Sequence, residues 1–309
     1  MTIRDHAHWP EMPPYVYWQD TCTTLLLWTQ IVGKIRMGLT PPINHYWGAA
    51  LYLTTRGLTT SPIPSGTGAF ALDFDFIAQA LRITTSQGEE GSFALEPMSV
   101  ADFYHKTMQA LDDLGIPVRI YARPVEVVES IPFVEDTTHA SYDAAAVKQF
   151  WRVLVTVSQV FTEFRARFLG KVSPVHLFWG SLDLAVTRFS GRTAPKHPGG
   201  APHCPDWVME EAYSHEVSSA GFWSGAGLGE AAFYAYAYPV PAGFGAHPVR
   251  PEAAYFHETL GEFILPYDAV RTAVDPAQAL LSFLQTTYEG AANLAHWDRI
   301  ALERPATSL

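Results

Sequence analysis

The sequence predicts an α+β fold, a tandem duplication of a helix/antiparallel-sheet/helix unit packed as one pseudo-twofold body. Three observations carry this expectation. Short runs with period-two alternation, such as Phe70-Ala71-Leu72-Asp73-Phe74-Asp75-Phe76, are bounded by turn residues and read as half-buried strands. Longer runs keep a helical beat and are opened by capping residues, as at Ser99 and Asp143. Finally, the stretch from Pro174 to Arg188 echoes an earlier one from Pro42 to Arg56.

In chain order, residues 1–19 are rich in proline and aromatic rings (Trp9, Pro10, Pro13, Pro14, Tyr15, Tyr17, Trp18). They predict an extended arm lying on the core. Asp20 and Thr21 are N-cap candidates for a helix that Gly38, Pro41 and Pro42 would stop. Asn44 to Arg56 reads as a strand, and 57–68 as a loop full of turn chemistry. After the alternating strand 70–76, further strands fit 80–86 and 91–97. A Ser99-capped helix runs to about Leu114, and 116–121 reads as a strand. This gives a first repeat half over 20–122 and a linker over 123–142.

The second half, 143–309, opens with a helix marked by Val147, Phe150, Trp151 and Leu154 and ending near Gly170. Ser173 to Arg188 reads as one long buried strand carrying His176, Asp183 and Arg188. A Pro/Gly/His loop follows at 192–206, then a strand over 211–217 and a glycine-rich turn (Gly225, Gly227, Gly229). An aromatic strand over 231–238, a short helical piece from Pro251 and a final helix from Asp275-Pro276 to about Glu303 complete the chain.

With Pro42 aligned on Pro174, six of nineteen positions are identical: Gly38/Gly170, Pro42/Pro174, Trp47/Trp179, Gly48/Gly180, Thr55/Thr187 and Arg56/Arg188. Two halves of this kind would meet at an interface, where sites commonly form.

Composition narrows the classes. A chain that is 48% hydrophobic and 17% charged can bury a substantial core. Its net charge of −11 offers no footprint for nucleic acid. Cys22 and Cys204 stand far apart with no CxxC spacing, which speaks for a reduced, cytoplasmic chain. The apolar run Leu25-Leu26-Leu27-Trp28 meets Lys34 and Arg36 too soon for a membrane span. No Walker A run, GxSxG elbow or GxGxxG after a strand is present. The sequence implies no particular cofactor and leaves the oligomeric state undetermined.

Several runs together resemble an uncharacterised bacterial family, the domain-of-unknown-function family numbered 5996. They are Asn44-His45-Tyr46-Trp47, Arg56 to Pro62, Asp73-Phe74-Asp75-Phe76, Ser173 to Gly191 and Glu211 to Glu216. The resemblance implies a bacterial protein and carries over no catalytic residue.

Candidate functional residues follow from chemistry. Asp73 and Asp75 share a strand face and suit a metal, or else form a solvated face. Asp183, His215, Glu216 and His176 are candidates for acid–base work, against ordinary hydrogen-bonded or ion-paired roles. Arg56 and Arg188 would hold an anion, against structural salt bridges, and Trp47 and Trp179 would line the pocket, against core packing. Asp183 and His176 do not recur in the first copy, where Leu51 and Asn44 stand, and are the better functional candidates on their stretch. Two readings result: an enzyme using acid–base or metal-assisted chemistry on a small anionic molecule, and a non-catalytic small-molecule-binding or scaffold protein.

Overall fold

In the computed structural model, residues 9–66 and 68–305 are described. The expected arm therefore lies partly outside the described residues, as does Thr67; the stretch 57–68, expected as a loop, carries two short strands, 57–59 and 63–65, that pair with 68–75. Over 9–14 the chain lies on the core: Trp9 is buried, and the Tyr267 hydroxyl donates to the Pro10 carbonyl at 2.7 Å. Pro13 and Pro14 then lead straight into helix α1 (Tyr15–Leu39), five residues earlier than the cap expected at Asp20. Proline is well tolerated just before a first helical turn, whose N–H groups have no partner within the helix.

Strands β1 (Ala50–Leu53), β2 (Gly57–Thr59), β3 (Ile63–Ser65), β4 (Gly68–Asp75), β5 (Ala80–Thr85) and β6 (Glu90–Ala94) follow. Helix α2 (Val100–Asp113) starts where expected, with the Ser99 hydroxyl accepting from the Asp102 N–H. Helix α3 (Ala144–Ala166) is capped by Asp143, which accepts from Ala145 and Ala146. Then come β7 (His176–Phe178), β8 (Asp183–Thr193), α4 (Asp206–Ala212), β9 (His215–Trp223), β10 (Ala232–Tyr238), β11 (Tyr255–His257) and β12 (Glu262–Pro266). Helices α5 (Tyr267–Arg271), α6 (Pro276–Leu294) and α7 (Arg299–Leu302) close the chain.

The strands form one antiparallel sheet in the order β11-β12-β10-β9-β8-β7-β1-β2-β4-β5-β6, with β3 branching off β4. Strands β1 and β7 join its two wings through the pairs Ala50↔Phe178 and Leu51↔Leu177. Helices pack side by side in the order α2, α1, α3, α6; α3 lies against β8, and α6 against β9 and β10. Among the described residues no helix is long and apolar enough to cross a membrane.

Several expected elements change form. Ser173 to Arg188 is a hairpin, because β7 and β8 are separated by a turn over 179–182 in which Leu182 adopts a left-handed φ of 54°. Trp179 leaves the sheet there and lays its indole on Gly33 of α1, where a Cβ would come within 2.2 Å of the ring. The hairpin pairs His176 with Ala185 and Phe178 with Asp183. Residues opposite one another share a face, so His176 and Asp183, which alternation along a single strand would separate, point the same way. Asn44 to Ala49 is 3-10 helix with left-handed His45 and Tyr46, and only Ala50 onward is strand. The stretch 211–217 is shared between the end of α4 and the start of β9. The stretches 116–121 and 251–254 hold no helix or strand, and the final helix is split into α6 and α7.

Candidate functional site

On the sheet face away from α3 and α6, strand alternation aligns side chains from four neighbouring strands. Asp183 and Thr187 come from β8, Val217, Ser219 and Trp223 from β9, Tyr234 and Tyr236 from β10, and Glu262 from β12. All of them line one cavity of about 720 Å³. The segment 126–128, the 3-10 helix Asn44–Ala49, α4 and the 224–228 turn complete its wall. A second, more open groove of about 630 Å³ runs between α2 and 116–119; its polar residues His105, Gln109, Asp112 and Arg119 are all exposed.

Small residues on β9 make the floor possible. Gly221 stands between Ala185 of β8 and Tyr234 of β10, and a Cβ there would lie 2.3 Å from the Tyr234 Cζ and hydroxyl oxygen. With no side chain in the way, the Tyr234 ring crosses β9 and its hydroxyl donates to Asp183 Oδ2. Tyr234 stacks on Tyr236 with ring centres 6.0 Å apart and planes 16° from parallel. The Tyr236 and Tyr213 hydroxyls are 2.8 Å apart, and Ser219 Oγ lies 2.8 Å from Thr187 Oγ1. Two hydroxyl pairs thus lie beside the carboxylates.

Three acidic side chains meet the cavity. Burial raises Asp183 to about 7, helped by the charge of Glu126 and opposed by the hydrogen bond from Tyr234. Burial, with the charge of Asp183 second, raises Glu262 to about 7. Among the described residues the Glu262 carboxyl has no hydrogen-bond or ion-pair partner. Glu126 is also raised by burial, against the Ser181 hydroxyl, which donates to its Oε2 at 2.8 Å, and the charge of Lys34. The residue is solvent-exposed at the mouth of the cavity, so water screens its charge and moderates that rise. Burial lowers Lys34, packed over the Tyr121 and Trp179 rings, to about 8.

At one side of the wall His45 sits among Trp47, Phe189 and His215, with ring centres 5.4, 4.5 and 5.5 Å away. Lys171 Nζ lies 2.6 Å from its Nε2, and the Ala212 carbonyl lies 3.2 Å from its Nδ1. An ammonium only donates and a carbonyl only accepts, so His45 is neutral with its proton on Nδ1. Burial and Lys171 push its pKa down in keeping with this. The left-handed φ of 57° at His45 marks backbone strain of the kind that clusters at working sites.

The structure brings together only some of the residues singled out from sequence. Asp183 and Trp47 line the cavity, and His215 touches it through His45. His176 is fully buried behind the wall, 4.5 Å from the Phe178 ring and 6.1 Å from Trp47; neither ring nitrogen has a partner among the described residues. Glu216 faces away and pairs with Arg192 at 2.6 Å. Trp179 packs on α1. Arg188 is buried beneath the sheet, its guanidinium 3.4 Å from the Phe164 ring centre and 4.3 Å from that of Tyr288. Arg56 is a surface residue held by Asp75 at 2.8 Å. Asp75 also takes Arg82 and the Ile77 and Ala78 N–H groups, so its oxygens serve a turn, and Asp73 lies beside it outside the cavity. Among the described residues no three His, Cys, Asp or Glu side chains gather to hold a metal ion.

Glu126, Glu262, His45 and the three tyrosines were not singled out from the sequence as site residues. The alternation Tyr234, Tyr236, Tyr238 was a local signal for two of the tyrosines. Fold and cavity together define an α+β protein with a small-molecule-sized recess on one face of an antiparallel sheet. The chain belongs to the family of unknown function DUF5996, whose model matches residues 9–304. No curated protein and no solved structure matches the chain.

Proposed function

We propose that this protein is an enzyme using general acid–base chemistry on a small molecule held in the cavity, with Asp183 and Glu262 as the proton-carrying pair. One observation carries the reading: two carboxyl groups whose charges oppose each other share one recess, each raised to about 7. Near neutral pH, carboxyl groups raised this far hold between them a proton to give and a charge to receive one. Tyr234 positions Asp183 through its hydrogen bond, and the hydroxyls of Tyr236, Tyr213 and Ser219 offer orienting bonds. Arg56 and Arg188 play no part in this scheme, since both stand outside the recess, and with them goes the reason to expect an anionic substrate.

The succession of helix, antiparallel strands and helix on either side of the β1–β7 join supports an ancestral duplication. In that reading the recess belongs mainly to the second copy.

A screen of small metabolites for stabilisation of the fold, followed by mass analysis of each hit for conversion, tests the proposal. Conversion should disappear in Asp183→Asn and in Glu262→Gln even at concentrations raised until the hit again occupies the recess. A ligand that binds the recess tightly and leaves unchanged under all conditions makes the protein a binding protein instead.

A further inference from the structure

The ligand class follows from the charge and surface of the same recess, and this inference rests on the reading of that recess as the working site. Its lining includes Glu126, Asp183 and Glu262 and not one lysine or arginine among the described residues. His45, the only histidine in the lining, is held neutral by Lys171 and the Ala212 carbonyl. Asp183 is 8% exposed and has one side-chain partner, Tyr234; Glu262 has none among the described residues. Carboxylates withdrawn from water without a countercharge are costly, and the fold leaves that cost standing in a space open to a guest.

The rest of the wall is suited to the same guest. The rings of Trp223, Tyr234 and Tyr236 line it, Trp47 already carries the Lys171 ammonium over its ring, and Leu26 and Met209 add apolar surface. An aromatic face attracts a cation most strongly where water is excluded, and a carboxylate nearby adds to that attraction. An anion would meet Asp183 and Glu262 on the floor with no lysine or arginine in the lining, Lys34 standing behind Glu126 and Lys171 behind His45.

We propose that the recess recognises an organic cation, an ammonium group carried on an apolar or aromatic body. The ammonium lies by Asp183 and Glu262, and the body lies against the rings. The raised carboxyls agree with this placement, since a cation beside them favours their charged forms and drives a proton out as it binds.

The test uses the full chain and three probes: benzyltrimethylammonium, its uncharged carbon isostere neopentylbenzene, and phenylacetate. Binding is followed by tryptophan fluorescence and by calorimetry in two buffers of different ionisation heat. The ammonium should bind at least about tenfold more tightly than the isostere, in line with a cation–π and ion-pair gain of a kcal/mol or more. Its affinity should rise from pH 6 to pH 8 with proton release, and this probe has no titrating group of its own. Asp183→Asn and Glu262→Gln, each checked for native circular dichroism, should weaken the ammonium more than the isostere. Equal or tighter binding of the isostere, or a preference for phenylacetate, overturns the cation assignment and leaves the acid–base reading intact. Failure of the ammonium to bind at millimolar concentration also overturns the cation assignment, while the acid–base reading is decided by the conversion screen.

Discussion

The Tyr234 hydroxyl reaches Asp183 from two strands away, across the bare backbone of Gly221. That contact links three strands and sets a buried carboxyl at the floor of the recess. Its geometry depends on the one position where β9 offers no Cβ.

Gly221→Ala should therefore act on both fold and site. The new methyl would meet the Tyr234 ring edge at 2.3 Å, and the ring must move off Asp183. Overpacking of this kind costs about 1–3 kcal/mol. Chemical denaturation should record the loss, and the tyrosine should lose its hydrogen-bonded ultraviolet signature. An unchanged midpoint and spectrum would show that Tyr234 does not need the gap.

Asp183 makes the fold less stable as pH rises. Its folded value of about 7 stands above the ordinary carboxyl value of 3.8, so the folded protein holds the proton more tightly than the unfolded chain. The contribution is fully present below pH 3.8 and is lost as pH rises toward 7, with a slope of up to about 1.4 kcal/mol per pH unit. Asp183→Asn keeps an acceptor for Tyr234 without the charge. Denaturation from pH 4 to pH 8 should give a flatter curve for this variant and a higher stability at pH 8.

His176 acts in the opposite direction. Burial, with the nearby charge of Arg36, lowers it to about 3 from 6.5, so below pH 6.5 the unfolded chain takes up a proton that the folded protein refuses. Stability should fall as pH drops from 6.5 toward 3. His176→Leu removes the titrating ring from an apolar setting of Phe178, Trp47 and Tyr52. Its acid denaturation midpoint should move to lower pH; an identical midpoint would place the acid-labile group elsewhere.

Gly33 in α1 offers a test of packing against propensity. Alanine is favoured over glycine within a helix by roughly 0.5–1 kcal/mol. Here the added methyl would come within 2.2 Å of the Trp179 indole, which is buried and held by the β7–β8 turn. Gly33→Ala should lower the thermal midpoint, and a rise would mean that the indole yields freely.

The local features of this protein were written in short stretches of chain. Caps at Ser99, Asp143 and Asp275 open three helices where their side chains accept from backbone N–H groups within three residues. Alternation placed β4 and β10 for the same reason, since each needs only its own neighbours to sort its faces. The candidate site was not of that kind. Asp183 was visible as a costly charge in an apolar run, but its partners Tyr234 and Glu262 lie on strands brought beside it by sheet order and register. Trp179, turned out of the sheet onto Gly33, made one expected strand into a hairpin and put His176 and Asp183 on one face. Arg56 and Arg188, alike in sequence setting, diverged because one ends at a solvent-facing turn and the other in mid-strand under α3 and α6. Chain-local energetics determined the elements. The pairing of distant strands alone decided which side chains share the recess, because burial and charge coupling depend on neighbours that no short stretch contains.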